Sequence, residues 1–148
     1  MENIVVIKEV IAADESLFIR IKELLAQLSS SPVEFTMAGF EEMVASPASH
    51  LFVALCDGNV SGMLTLGEYL APTGRKMWIE DVVVDEAARG RSLGRRLVEH
   101  AIGYAEQLGA GTLMLTSRPS RVAANALYRS CGFVIKETNM YRMKIESE

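Results

Sequence analysis

A chain of 148 residues, 49% of them hydrophobic, can build one domain around a single core, and its length asks for no second domain. The net charge of -4 argues against nucleic acid as a general partner, because duplex binding needs a basic face. Apolar runs such as Leu51 to Cys56 fall far short of the roughly 20 residues that span a bilayer, and the acidic start from Met1 to Glu9 lacks a signal-peptide pattern, so residues 1–148 read as one soluble cytoplasmic domain with no membrane partner.

In chain order, residues 3–7 read as a first strand. After Asp14 an amphipathic helix sets Leu17, Ile21, Leu24, Leu25 and Leu28 on one face, a stripe suited to a core. Ser29-Ser30-Ser31-Pro32 breaks that helix, and a shorter one from Thr36 to Ala45 ends before Pro47. The turn signal Asp57-Gly58-Asn59 joins Leu51 to Cys56 and Val60 to Leu66 as an antiparallel hairpin. A second turn over Ala71 to Lys76 leads into the strand Met77 to Val84.

That strand runs into Asp85-Glu86-Ala87-Ala88-Arg89-Gly90-Arg91-Ser92-Leu93-Gly94 and then directly into a helix carrying Leu93, Leu97, Ala101, Tyr104 or Ala105, and Leu108 at helical spacing, stopped by Gly109. A helix start has backbone N–H groups without internal partners and the positive end of the helix dipole. With Gly90 and Gly94 for close approach, and Arg89, Arg91, Arg95 and Arg96 supplying four cations, the junction is suited to a phosphate and suggests a cofactor bearing a pyrophosphate. Leu113 to Thr116 is the next strand. Ser120 is positioned to cap a helix through Ala123, Asn125, Leu127 and Tyr128, with Gly132 as its stop, and Phe133 to Ile135 and Met140 to Ile145 read as two closing strands. The order β-α-α-β-β-β-α-β-α-β-β gives an α/β (α+β mixed) fold, a mixed sheet with helices on both faces. Cys56 and Cys131 provide no disulfide framework and read as packed thiols. With His50 and His100 the only histidines, no metal site is expected.

The element order, the turn Arg89-Gly90-Arg91-Ser92-Leu93-Gly94 after the fourth strand, and the ending Leu127-Tyr128 to Gly132-Phe133 resemble the GCN5-related N-acetyltransferase (GNAT) superfamily, in the form of its small single-domain bacterial-type members. Ser92 stands where the family's turn has glycine. The resemblance implies a mostly antiparallel sheet of six to seven strands, splayed between the fourth and fifth, and transfer of an acetyl group from acetyl-CoA to an amine. It implies that Val82, Val83 and Val84 offer backbone groups to the pantetheine arm. Arg89, Gly90, Arg91, Ser92, Leu93, Gly94 and Arg95 would hold the pyrophosphate, and Asn125 and Tyr128 would complete the cofactor site. Ile79-Glu80-Asp81 is also similar to the fourth strand of diamine and glucosamine-phosphate acetyltransferases.

Acetyl transfer needs a neutral amine, whereas an alkylammonium has a pKa near ~10.4, so a base or a proton-carrying water must act. Glu80, which shares side-chain parity with Val82 and Val84 in a regular strand, is the first candidate. Asp81, on the opposite face unless a bulge intervenes, is the second, and an acidic pair that only binds a cation is the competing account. The resemblance places Tyr128 to protonate the leaving thiolate; packing alone is its alternative. Arg118 and Arg121, beside Pro119-Ser120, read by default as solvated loop charges; if functional, they would favour a substrate with a carboxylate or phosphate besides its amine. The expected reaction is acetylation of a small-molecule amine in a ternary complex. Protein N-terminal or lysine acetylation is the alternative, and a non-catalytic acyl-CoA-binding module the third. Met140 to Ile145 offers an edge strand for a homodimer.

Overall fold

The computed structural model describes residues 4–146. Its elements are β1 (Val5–Glu9), α1 (Glu15–Leu28), α2 (Met37–Ala45), β2 (Ser49–Cys56), β3 (Asn59–Ala71), β4 (Gly74–Val84), a 3-10 turn (Glu86–Ala88), α3 (Leu93–Gln107), β5 (Thr112–Met114) and α4 (Val122–Ser130). They form a mixed α/β fold with one sheet in the order β1-β2-β3-β4-β5, antiparallel throughout except for the parallel β4–β5 pair. The start of the expected first strand, Asn3, lies outside the described residues.

Each helix forms where its pattern and cap agree. Asp14 accepts a hydrogen bond from the Leu17 N–H at 2.8 Å to start α1, and Thr36 accepts from the Gly39 N–H at 3.0 Å to start α2. Ile21 and Leu24 of α1 and Phe40 of α2 are buried with Leu51, Val53, Met63 and Val83 in a core on one face of the sheet. Leu93, Leu97, Val98, Ala101 and Ala105 of α3 fill the other face against Phe52, Ala54, Leu64, Leu66, Met77 and Ile79. Burying a side chain such as Leu97 is worth about 2 kcal/mol, so these two cores fix the register of the sheet.

The second hairpin is tighter than the sequence implies. Ala71 pairs with Gly74, so only Pro72 and Thr73 form the tip and both strands lengthen around it. The helix α4 begins at Val122 with Arg121 at its cap, not with Ser120. Asn125 explains why: its Nδ2 donates to the carbonyls of Arg118 and Arg121 at 2.8 Å each, closing the Arg118–Arg121 turn from within the helix.

The larger difference is in strand count. Among the described residues the sheet has five strands, not six or seven, and neither Phe133 to Ile135 nor Met140 to Ile145 is a strand. Phe133 packs against Tyr128 at the end of α4, but every residue from Val134 to Glu146 is exposed. A strand exists only through its neighbour's backbone, and this segment has none among the described residues.

The turn after β4 is held from α1. Arg20 donates from Nε to the Val60 carbonyl at 2.8 Å and pairs through Nη2 with Asp85. Gln27 accepts from the Glu86 N–H at 2.9 Å, and Asp85 accepts from the Ala87 N–H at 3.0 Å. The Arg20 guanidinium, followed by the Ala87 N–H, lowers the Asp85 carboxyl to about 2. A depressed carboxyl stabilises the fold above its ordinary value of 3.8, and that contribution is lost as pH falls from there toward 2. Replacing Arg20 with Met should therefore lower stability at neutral pH by about 2 kcal/mol, the scale of hydrogen bonds to charged groups. In urea titrations the gap from the wild type should narrow as the pH is taken from 4 toward 2. A gap that does not change with pH would show that the Asp85 charge is not what Arg20 holds.

Ser92, at the cap of α3, adopts φ 58 and ψ 29, the left-handed region, and makes no side-chain cap bond. Serine is strained there by about 1–2 kcal/mol, whereas glycine is not, apart from its greater unfolded-state freedom. Ser92→Gly should accordingly raise stability by about 0.5–1 kcal/mol, and Ser92→Val should lower it, in denaturant titrations. A glycine variant less stable than the wild type would mean that the serine hydroxyl, not the backbone, decides this position.

Candidate active site

The site begins with an irregularity in β4. Thr65 pairs with Glu80, yet Met63 pairs with Val83, so β4 carries an extra residue opposite Leu64. Asp81 absorbs it with φ 51. The bulge reverses the parity expected of a regular strand. Val82 and Val84 pack toward α3, while Glu80 lies with Thr65 on the α1 side, the side that also takes Val83. Glu80 and Val82 therefore do not share a face.

Beyond Trp78, β4 loses its second neighbour. It pairs with β5 only over Lys76–Trp78 and Thr112–Met114, after which the two strands separate. A cavity of about 700 Å³ opens in this gap, within the size range of small-ligand sites. Its walls bring together residues that are distant in sequence: Leu28 to Ser31 from the end of α1, Ile79 to Val82 from β4, Leu115 to Arg118 after β5, and Ser120, Arg121 and Tyr128 at α4. Glu80, Asp81 and Tyr128, the three residues assigned to catalysis, thus line one space.

Glu80 and Asp81 are exposed along the cavity, yet the walls around them partly displace water and raise the carboxyl pKa of both, and for Glu80 the neighbouring Asp81 charge adds to it. Tyr128, 6% exposed, is pushed up by burial and partly drawn back by Arg121, so its phenol keeps a proton at neutral pH. The Ser117 hydroxyl is buried at the cavity wall with no hydrogen-bond partner among the described residues. A second cavity of about 490 Å³, lined by Gly67, Tyr69, Trp78 and Ser49, lies on the α1 side of the sheet, and Glu80 borders both.

The gap and the turn beyond it fit an extended, amide-bearing chain ending in a pyrophosphate. Residues 79–84 present a backbone edge that β5 does not pair, Ser117 offers an unused hydroxyl, and the first turn of α3 offers free N–H groups, although Val83, Val84 and the residues from Arg89 to Arg95 do not line the cavity itself. Gly90 has φ 88, and no atom lies within 4 Å of the position a Cβ would take, so the turn is open there. Gly94 differs: a Cβ would meet Leu127 at 3.3 Å and Val84 at 3.7 Å, so this glycine serves the approach of α3 to α4 and β4. Leu93 is buried in the core and can offer only its backbone. Arg91 Nη1 lies 2.7 Å from Cys56 Sγ, and Arg95 bonds Glu99 and Ser130. Arg89 and Arg96 make no side-chain hydrogen bond or ion pair among the described residues and remain available to an anion. Asn125, whose Nδ2 donates to the Arg118 and Arg121 carbonyls, does not line the cavity.

The sequence reading had no place for Ser117, Trp78 or Gly62. The Cβ position of Gly62 is 3.1 Å from the Val83 carbonyl and 3.2 Å from Leu97, so a side chain there would push on the strand that forms the site. Among the described residues no group of three His, Cys, Asp or Glu could hold a metal ion, and no helix is long and apolar enough to cross a membrane.

Comparison with known proteins agrees with this architecture. The chain is 36% identical over 126 residues to glucosamine 6-phosphate N-acetyltransferase 1 of Oryza sativa subsp. japonica, covering 79% of this chain and 74% of the relative. It is 32% identical over 114 residues to the N-alpha-acetyltransferase RimI of Mycobacterium tuberculosis, covering 77% and 70%. The structure matches that of a putative acetyltransferase from Agrobacterium tumefaciens with a TM-score of 0.81 at 32% identity, covering 94% of this chain and 99% of the other. Residues 19–133 match the model of the acetyltransferase (GNAT) family. The chain belongs to this family of acetyl-CoA-dependent N-acetyltransferases.

Proposed function

We propose that the chain acetylates the primary amine of a small molecule by direct attack on acetyl-CoA in a ternary complex, with Glu80 as base and Tyr128 as acid. The observation that carries this reading is the convergence of Glu80, Asp81 and Tyr128 on the gap between β4 and β5. The pantetheine arm would lie along the free edge of residues 82–84 and the pyrophosphate at Arg89 to Arg95. Glu80, on the border of the two cavities, can meet an ammonium arriving from the α1 side and take its proton directly or through water. Backbone N–H groups at the unpaired edge of β4 would stabilise the oxyanion. The Tyr128 phenol would protonate the departing thiolate, a role favoured by its retained proton.

Arg118 and Arg121 in the same walls support an acceptor that carries an anionic group besides its amine, and the similarity to a glucosamine 6-phosphate N-acetyltransferase points the same way. The similarity to an N-alpha-acetyltransferase supports a second reading, a peptide N-terminus as acceptor. A panel of amino-sugar phosphates, diamines, amino acids and short peptides, read by release of the CoA thiol, should give its highest kcat/KM with an anionic small amine. A peptide as the best acceptor would establish the second reading, and no thiol release with any acceptor would leave a binding module without turnover.

A base acts only when deprotonated, so the rate falls as pH drops through its pKa, and the raised pKa of Glu80 moves that acid limb toward neutrality. Glu80→Gln should remove the limb and lower kcat/KM by about 100-fold. A variant that keeps the limb would transfer the base role to Asp81 or to water.

A further inference from the structure

Helices cover the α1 side of the sheet only in part. Leu51, Val53, Met63 and Val83 are buried with side chains of α1 and α2, whereas Ser49, Gly67, Tyr69 and Trp78, further along the same face, belong to neither core and line the cavity of about 490 Å³. Gly67 sits inside the central strand β3, opposite Ser49 on one side and Trp78 on the other. Glycine weakens a strand interior and marks places where something approaches the backbone closely. Here no atom of the described residues makes that approach, because a Cβ on Gly67 would have nothing within 4 Å. The space above it is open.

This trough has a flat floor and aromatic walls. Gly67 has no side chain and Ser49 a two-atom one, so two strands roughly 5 Å apart offer nearly bare backbone side by side. The Glu68 N–H donates to the Ala48 carbonyl at 2.9 Å, which carries that pairing past the start of β2 and holds the floor in place. Trp78 bounds the floor across from Gly67, and Tyr69, 50% exposed, bounds it two residues along β3. Glu80, two residues from Trp78 and so about 7 Å along β4, closes the other end. Of the two acids in this lining, Glu68 pairs with Arg75 at 2.9 Å, while Glu80 has no ion-pair or hydrogen-bond partner among the described residues. The charge left free in the trough is therefore negative, at the end where it meets the reaction space.

We propose that the trough selects acceptors whose primary amine is joined to a ring with a flat apolar face: the ring lies on Gly67 between Trp78 and Tyr69, and its ammonium meets Glu80. This rests on the reading of Glu80 as the residue that receives the acceptor amine. A straight chain needs neither a bare floor nor aromatic walls, whereas a ring face needs both, because aromatic faces attract the positive edges of C–H groups. A sugar and an aryl group both present such a face. Trp78, Tyr69 and Gly67 are then specificity-determining residues, with Gly67 acting through the side chain it lacks.

Trp78 is the only tryptophan in the chain, so its fluorescence reports the trough without turnover. Titrated in the presence of CoA, glucosamine should bind roughly 3–10-fold more tightly than its open-chain counterpart glucosaminitol, and phenethylamine than hexylamine, the span of one aromatic contact. A preference in one pair alone supports the trough and names its ring as a sugar or an aryl group. Gly67→Val, which fills the floor with a residue suited to a strand, should weaken the preferred ring amine at least ~10-fold while the protein stays as stable in urea. Tyr69→Ala, at a half-exposed position, should lower the preference about 3-fold or more and serves where the valine variant does not fold. Equal binding within both pairs, or a folded variant that keeps the full preference, overturns the trough. Ring-selective binding without release of the CoA thiol from any amine supports the trough and overturns the acetyl-transfer reading instead. Thiol release with equal kcat/KM for both members of each pair overturns the trough alone.

Discussion

Everything at the site follows from the one extra residue in β4. A regular strand through Ile79 to Val84 would put Glu80, Val82 and Val84 on one face, and the carboxylate would point into the α3 core with the two valines. The bulge at Asp81 sends Val82 and Val84 to the α3 core, Val83 to the α1 core, and leaves Glu80 beside the α1-side cavity. Its cost is a non-glycine residue held at φ 51, a strain of about 1–3 kcal/mol that persists only because the cores on both faces over-determine the strand. The same bulge sets two exposed carboxylates on adjacent residues along the cavity, where the surrounding protein disfavours their charge. The strain in the strand and the tuning of the acid pair therefore have one origin.

The turn that follows β4 must be rigid, because a phosphate cradle built from backbone N–H groups works only if they converge without reorganisation. Here the rigidity comes from opposite directions. Arg20 and Gln27 of α1 hold Asp85 and Glu86 on one side, and the guanidinium of Arg91 reaches Cys56 at the end of β2 on another. The cations of the turn then divide their work. Arg91 and Arg95 are engaged with the protein itself, while Arg89 and Arg96 contribute charge to the solvent-facing side of the helix start.

Local signals made most of this fold legible. The α1 stripe, the Asp57-Gly58-Asn59 turn and the α3 repeat each depend on neighbours within a few residues, and the elements stand close to where those patterns put them. The Arg/Gly turn was legible for the same reason, because strand, glycine and helix start follow one another directly. What could not be read was set by pairing across the sheet. The parity of Glu80 depends on which β3 residue it faces, and only the register with Thr65 and Met63 shows the bulge. Asn125 has the composition of a ligand-binding residue, but its amide is used by the Arg118 and Arg121 carbonyls, which no spacing rule reveals. Gly94 is similar: a glycine at a helix start suggests room for a phosphate, whereas its missing side chain makes room for Leu127.

The carboxy-terminal arm separates two meanings of a strand pattern. Alternation in Met140 to Ile145 reports only that the segment could present one apolar face if extended. It does not report who supplies the neighbouring backbone, because hydrogen bonds across a sheet are satisfied equally well by the same chain or by another copy. At the end of α4 the exit of the chain is fixed locally: Gly132 takes φ 106, and Phe133 donates its N–H to the Tyr128 carbonyl and packs its ring against Tyr128. Since Tyr128 also lines the β4–β5 gap, the residue that starts the arm on its path is anchored to one wall of the site.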